Sequence, residues 1–169
     1  MIFTAEDGNM RIVVVADTHR DYYMLKEVVE DNLDADAFIH LGDGENELRD
    51  MEQLFPHKMF YFVQGNRDYA SKAKVTDILN LGGKKILITH GHHYDVRETM
   101  DNLVNTAKHN DVDIALYGHT HLYSYSCIDG IYVMNPGSLH APRGRRYRSY
   151  GTIDISGDDV AINIIEIKR

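Results

Sequence analysis

Asp17, His19, Asp43, Asn66, His90, His119 and His121 are the side chains whose types and spacing suit chemistry in this 169-residue chain. They fall in five short motifs: Asp17-Thr18-His19, Gly42-Asp43, Gly65-Asn66, His90-Gly91-His92 and Gly118-His119-Thr120-His121. Imidazole nitrogens mixed with carboxylate oxygens suit Mn, Fe, Co, Ni or Zn better than Mg or Ca. Only two of the seven side chains are anionic, so two bound dications would leave the cage at about +2, or about +1 with a bridging hydroxide. Such a site attracts a phosphate anion and stabilises charge that builds on phosphoryl oxygens. Two metals roughly 3.5–4 Å apart also make a nucleophile at neutral pH and orient an in-line displacement. Taken singly, these Asp and Asn residues are the ones turns and helix caps use. Taken in order, the five motifs point to a metal site.

The elements around them explain how residues so far apart can meet. Short apolar runs at 11–16, 37–41, 59–64, 85–89 and 113–117 have the Val/Ile/Leu/Phe content of strands covered on both faces. Each runs into one of the five motifs. In open α/β sheets, ligands gather at the carboxyl ends of strands, and glycine beside a ligand lets the backbone turn sharply. Helical periodicity appears at 21–33, with Leu25, Val28, Val29 and Leu33 on one face, and at 96–109, with Met100, Leu103, Val104 and Ala107. A short acidic helix fits 45–54. After residue 117 the pattern changes to hairpins: 123–128 and 131–134 flank Asp129-Gly130, and 149–155 and 159–167 flank Ser156-Gly157-Asp158. The expected fold is therefore α+β, with two packed sheets and helices outside, rather than a plain doubly wound sheet.

In motif order (D-x-H, G-D, G-N, H-G-H, G-H-T-H) the chain resembles the calcineurin-like metallophosphoesterase superfamily, and within it the short YfcE-type phosphodiesterases. The resemblance covers 11–167 and includes Asn135-Pro136-Gly137-Ser138. It implies a four-layer α/β/β/α sandwich of two mixed sheets flanked by helices, and two divalent transition-metal ions, Mn first with Ni, Fe, Co or Zn as alternatives. By the same resemblance, Asp17, His19 and His121 hold one metal, Asn66, His90 and His119 the other, and Asp43 bridges both. The implied activity is metal-dependent hydrolysis of phosphate diesters by a bridging hydroxide; Asp43 and Asn66, and from the residues themselves His92, are the expected catalytic side chains. Phosphomonoester hydrolysis on the same site is the alternative, and so is a non-catalytic scaffold like the retromer subunit of this fold. Scaffolds tend to lose ligands, and here all seven positions are filled.

One tetrad departs from the superfamily pattern. Gly65-Asn66-Arg67-Asp68 has arginine where many members have histidine. Arginine stays protonated near neutral pH, so Arg67 is expected to bind a phosphate oxygen rather than donate a proton. Esters with good leaving groups follow, or protonation by water or His92. The Arg143-Gly-Arg-Arg-Tyr-Arg148 run reads mainly as a solvated loop, with Arg143 kept as a substrate contact. His93 is expected to be exposed, and His40, His57, His109 and His140 to be surface or loop residues.

Bulk properties set the remaining bounds. The chain is 43% hydrophobic and 26% charged, ordinary values for one globular domain spanning 1–169. Met1–Asn9 is polar and reads as an extension ahead of Met10. The 26 acidic against 18 basic residues, a formal charge of −8, disfavour a nucleic-acid-coating surface. A small phosphate ester, nucleotides included, is the expected partner, and self-association stays open. No run reaches the roughly 18 apolar residues of a membrane span, and the start lacks a secretion signal. With one cysteine, Cys127, read as partly buried and inert, the expected compartment is the reducing cytoplasm.

Overall fold

The computed structural model describes residues 9–168. The expected extension therefore lies outside the described residues, apart from Asn9, which already opens the first strand. In chain order the elements are β1 (Asn9–Val15), α1 (Tyr22–Asp31), β2 (Ala37–His40), α2 (Glu45–Leu54), β3 (Met59–Phe62), β4 (Thr76–Leu81) and β5 (Lys84–Thr89). They continue with α3 (Asp101–His109), β6 (Ile114–Leu116), β7 (Ser124–Ile128), β8 (Ile131–Asn135), β9 (Arg148–Ser156) and β10 (Asp159–Ile167).

Strand β1 shows why the molecule has four layers. Every residue from Ile12 to Ala16 is buried, so both faces of the strand must be covered. Ile12, Val14 and Ala16 face the space between two sheets, where they meet Ile39, Leu41, Ile86, Ile88, Ile114, Leu116 and Met134. Val13 and Val15 face the other way and pack with Leu25, Val28 and Val29 of α1 and Met51 of α2. The second sheet repeats the scheme, its outer residues Leu87, Ala115 and Val133 packing with Leu103, Val104 and Ala107 of α3. Each fully buried Leu or Ile contributes about 1.5–3 kcal/mol. This alternation orients each strand and fixes which way its end points.

The sheets have the orders β10-β9-β1-β2-β3 and β4-β5-β6-β8-β7. β1, β2 and β3 run parallel, as do β5, β6 and β8, while β9, β10, β4 and β7 pair antiparallel. The α/β/β/α arrangement of two mixed sheets is the one expected. No helix among the described residues is long and apolar enough to cross a membrane.

Four local expectations fail. β4 has no counterpart among the expected strands: it pairs with β5 through Gly82-Gly83, whose φ values of 55° and 77° suit the turn that requires positive φ at both central residues. Its alternation is weak because only Leu81 is buried. α3 begins at Asp101 rather than 96, since the preceding stretch is spent in turns after Gly91. Leu33 lies beyond the end of α1 and is exposed. Cys127 is exposed as well, on an edge strand whose first four residues all face solvent.

Candidate metal centre

The two parallel trios place their carboxyl ends at one rim of the sandwich, and backbone bonds tie the loops that follow. The Asp17 and His19 amides donate to the carbonyls of Gly42 (3.1 Å) and Asp43 (3.0 Å), and the Gly118 amide donates to His90 (3.0 Å). Between the sheets, Asp17 Oδ2 accepts the amide of His119 at 3.0 Å. These reversals demand unusual backbone. Of the nine non-glycine residues with positive φ among the described residues, five are Asp17, His19, Asp43, His119 and His121. Such conformations cost on the order of 1–3 kcal/mol each and cluster at functional sites.

Two groups of side chains result. Asp17 Oδ1 lies 3.2 Å from His121 Nε2 and 3.5 Å from His19 Nε2, and the two imidazole nitrogens are 3.2 Å apart. Ligands at about 2.1 Å from one ion stand ~3.0–3.5 Å from each other, so this triangle has the size of a coordination shell. In the second group His90 Nε2 lies 3.5 Å from Asp43 Oδ2, 3.9 Å from Asp17 Oδ1 and 3.1 Å from Asn66 Oδ1. The His119 ring stands 5.1 Å from that of His90. Asp43 Oδ2 falls between the groups, being also 3.7 Å from His19 Nε2. All seven side chains named from sequence reach this one rim. Asp17, Asp43 and His90 form its buried floor, and Asn66 is exposed at its edge.

Hydrogen bonding on the far side of each ring decides what the near side can do. His90 Nδ1 lies 2.7 Å from the Leu41 carbonyl and His121 Nδ1 lies 2.8 Å from that of Ala141. A carbonyl only accepts, so each Nδ1 carries a proton and each ring turns its Nε2 inward, the nitrogen that offers a lone pair when the ring is neutral. Asp17 Oδ1 is buried and receives no hydrogen bond. Asp43 spends Oδ1 on the Arg67 amide (2.7 Å) and keeps Oδ2 for the cluster. Carboxylate and amide oxygens thus face ring nitrogens at 3.1–3.5 Å, an arrangement that is favourable only with a cation between them, a proton or a metal ion. That donor set fits divalent metal ions.

The titration behaviour of the metal-free protein agrees. Burial opposes ionisation of Asp17, but His121, His19 and His90 outweigh it and hold the carboxyl well below the usual range. Burial lowers His121 too, yet Asp17 leaves it raised overall. Burial raises Asp43, against the pull of His90 and the Arg67 amide. His119 is pushed down to about 4 by burial and then by His90 and Arg97, so it is neutral and ready to ligate at neutral pH.

Three further supports hold the loops that carry the candidate ligands. The Asp68 carboxylate accepts four amides: Asp43 and Gly65 on Oδ2 (both 2.8 Å), Gly44 (3.0 Å) and Glu45 (3.1 Å) on Oδ1. It joins the loops of Asp43 and Asn66 and caps α2, which has no side-chain cap of its own. His40, expected in a loop or at the surface, is instead fully buried. Its Nδ1 accepts the Gly42 amide (3.1 Å), and its Nε2–H faces Thr18 Oγ1 (3.0 Å), which donates to Glu47 (2.6 Å). Ser138 Oγ donates to the Asp17 carbonyl (2.9 Å), and Asn135 Nδ2 donates to the Gly118 carbonyl (3.0 Å). The Asn135-Pro136-Gly137-Ser138 turn therefore braces two of the loops that carry candidate ligands.

The remaining candidates border the cluster. His92 stands 5.3 Å from His90 and 6.1 Å from His119, ring to ring. Burial, then His90 and His93, push it down to about 4, so it is neutral at neutral pH. Arg67 is exposed and donates to the Tyr69 hydroxyl at 3.0 Å. Arg143 is exposed, and its amide donates to the His121 carbonyl at 3.2 Å. His57, His93, His109 and His140 are exposed as expected.

Known proteins share this arrangement of elements. Residues 10–158 match the model of the calcineurin-like phosphoesterase superfamily domain. The probable metallophosphoesterase YsnB of Bacillus subtilis is 30% identical over 158 residues, covering 93% of this chain and 91% of its own. Phosphodiesterase MJ0936 of Methanocaldococcus jannaschii is 26% identical over 147 residues, covering 76% and 83%. The crystal structure of a predicted phosphoesterase from Streptococcus pneumoniae TIGR4 superposes with a TM-score of 0.81 at 31% identity, covering 94% of this chain and 90% of that one.

Proposed function

This chain belongs to the calcineurin-like phosphoesterase superfamily and is a phosphoric ester hydrolase, and on that premise we propose that it cleaves phosphate diesters with a pair of divalent transition-metal ions, Mn first among them. The observation that carries this reading is the convergence of lone pairs on Asp17 Oδ1 and Asp43 Oδ2. Asp17, His19 and His121 would hold one ion and Asn66, His90 and His119 the other, with Asp43 Oδ2 shared. Bound there, the ions supply Lewis acidity to the phosphoryl oxygens and a nucleophile at neutral pH.

The chain's own residues do the rest. The backbone bonds between loops and the Asp68 carboxylate fix the ligands before substrate arrives, so little reorganisation remains at the moment of reaction. Arg67 turns from Tyr69 to a non-bridging phosphate oxygen. Neutral His92 donates a hydrogen bond to the ester without protonating the leaving oxygen, so the leaving alkoxide takes its proton from water. Esters of acidic alcohols and phenols are therefore the better substrates. The lone cysteine supports a cytoplasmic setting.

The test is hydrolysis of bis-p-nitrophenyl against mono-p-nitrophenyl phosphate under added Mn²⁺. The reading expects the diester to be favoured and turnover to vanish with chelator. Monoester preference would replace the diester assignment, and inertness toward both would support a non-catalytic scaffold.

A further inference from the structure

Beside the His119-Thr120-His121 loop lies an open groove of about 510 Å³, within the range of small-molecule sites. Arg97, Arg143 and Arg145 line it, with Thr120, Leu122 and Tyr123. The loop is common to groove and cluster: Arg97 Nη2 donates to the His119 carbonyl at 3.4 Å, and the Arg143 amide donates to that of His121. Three arginines elsewhere find carboxylates. Arg11 pairs with Asp154, Arg49 with Glu52 and Arg148 with Asp21. Among the described residues, the three groove arginines pair with none, despite 26 acidic side chains in the sequence. Arg145 instead stacks on the Tyr123 ring, 4.4 Å from its centroid, and Tyr123 in turn donates to Glu166. Stacking preorganises the guanidinium plane and leaves its N–H edge for a ligand.

We propose that this groove is a subsite for a second phosphate, carried on one arm of the ester whose scissile phosphate sits at the cluster. The substrate class is a nucleotide-like diester with a terminal phosphate on that arm, whose ring lies against the exposed Leu122. Guanidinium forks match the oxygens of a phosphate dianion in pairs, and the shared loop makes groove and cluster neighbours. The proposal rests on the phosphoesterase reading of the cluster. It adds the chemical feature that selects among diesters.

The test is calorimetric titration of Mn²⁺-loaded protein with thymidine 3′,5′-bisphosphate and with thymidine 3′-monophosphate. The bisphosphate should bind at least tenfold more tightly, and the advantage should fall below threefold in Arg143→Ala/Arg145→Ala. Arg145→Gln alone, at an exposed position, should remove part of it. Arg146→Ala changes the charge equally but lies outside the groove, so it should keep the advantage. Inorganic phosphate in competition separates occupancy of the subsite by any free phosphate from recognition of the nucleotide arm. Equal binding of the two nucleotides, or equal losses in the Arg146 and Arg145 variants, would overturn the subsite. Because this readout is binding, a failure to hydrolyse bis-p-nitrophenyl phosphate would strike the diesterase reading and leave the subsite standing or falling on the titration alone.

Discussion

Replacing Asp68 with alanine should loosen the metal cage without touching a ligand. The carboxylate accepts amides from Asp43, Gly44, Glu45 and Gly65 at 2.8–3.1 Å, and the site is only partly buried, so water would replace some of these bonds. A net loss of roughly 0.5–1 kcal/mol per bond gives a destabilisation of about 2–4 kcal/mol. Part of that is the lost cap and favourable charge at the start of α2. For a chain of this size, ~2–4 °C per kcal/mol translates to a melting temperature lower by about 5–15 °C. The loops of Asp43 and Asn66 would also slacken, and losses of oriented supporting bonds typically cost about 10–100-fold in metal affinity. Asp68→Asn keeps one oxygen acceptor and should show about half the destabilisation. Scanning calorimetry of the metal-free protein and Mn²⁺ titration read the two effects separately. A melting point within about 2 °C of the parent, together with unchanged affinity, would show that the four bonds are not what positions the loops.

Other perturbations follow from the same geometry. Gly65→Ala would place a Cβ 2.1 Å from Asp43 Oδ1, and it should abolish tight metal binding in the same titration while Gly130→Ala, in open space at a distant hairpin, should not. Asp43→Asn or His119→Ala should each lower turnover at least ~10³-fold, given the several kcal/mol a metal supplies, as read by p-nitrophenol release. Burial depresses His40 to about 4, below its unfolded value of about 6.5. A depressed histidine contributes stability that is complete above the unfolded pKa and lost as pH falls toward the folded one. The metal-free protein should therefore lose stability from about pH 6.5 to 4, and urea melts of His40→Gln across that window should show a shallower decline.

Much of the architecture is visible as runs of apolar residues. Ile12–Ala16, Ala37–Leu41 and Lys85–Thr89 announce strands because apolar residues on both faces need cover on both sides. The five motifs are legible because each follows such a run directly. What stays hidden depends on which loops meet. Asp68 looks like any turn aspartate until the amides of 43–45 and 65 converge on it. His40 carries a usable signal: it stands two residues after Phe38, which packs under the helices, so alternation puts both on the covered face. Thr18 and Glu47 are there to receive it. β4 escapes because Asp77 and Asn80 interrupt its apolar pattern, although Gly82-Gly83 marks the turn. Positive φ at five of the candidate ligands leaves no compositional trace, since Asp and His are chosen there for their side chains.

Anomalous diffraction from crystals soaked in Mn²⁺ tests the central claim most directly. Two peaks roughly 3.5–4 Å apart, both touching Asp43 Oδ2, with Asp17, His19 and His121 on one and Asn66, His90 and His119 on the other, are the predicted result. A single peak, or peaks away from these seven side chains, would contradict it.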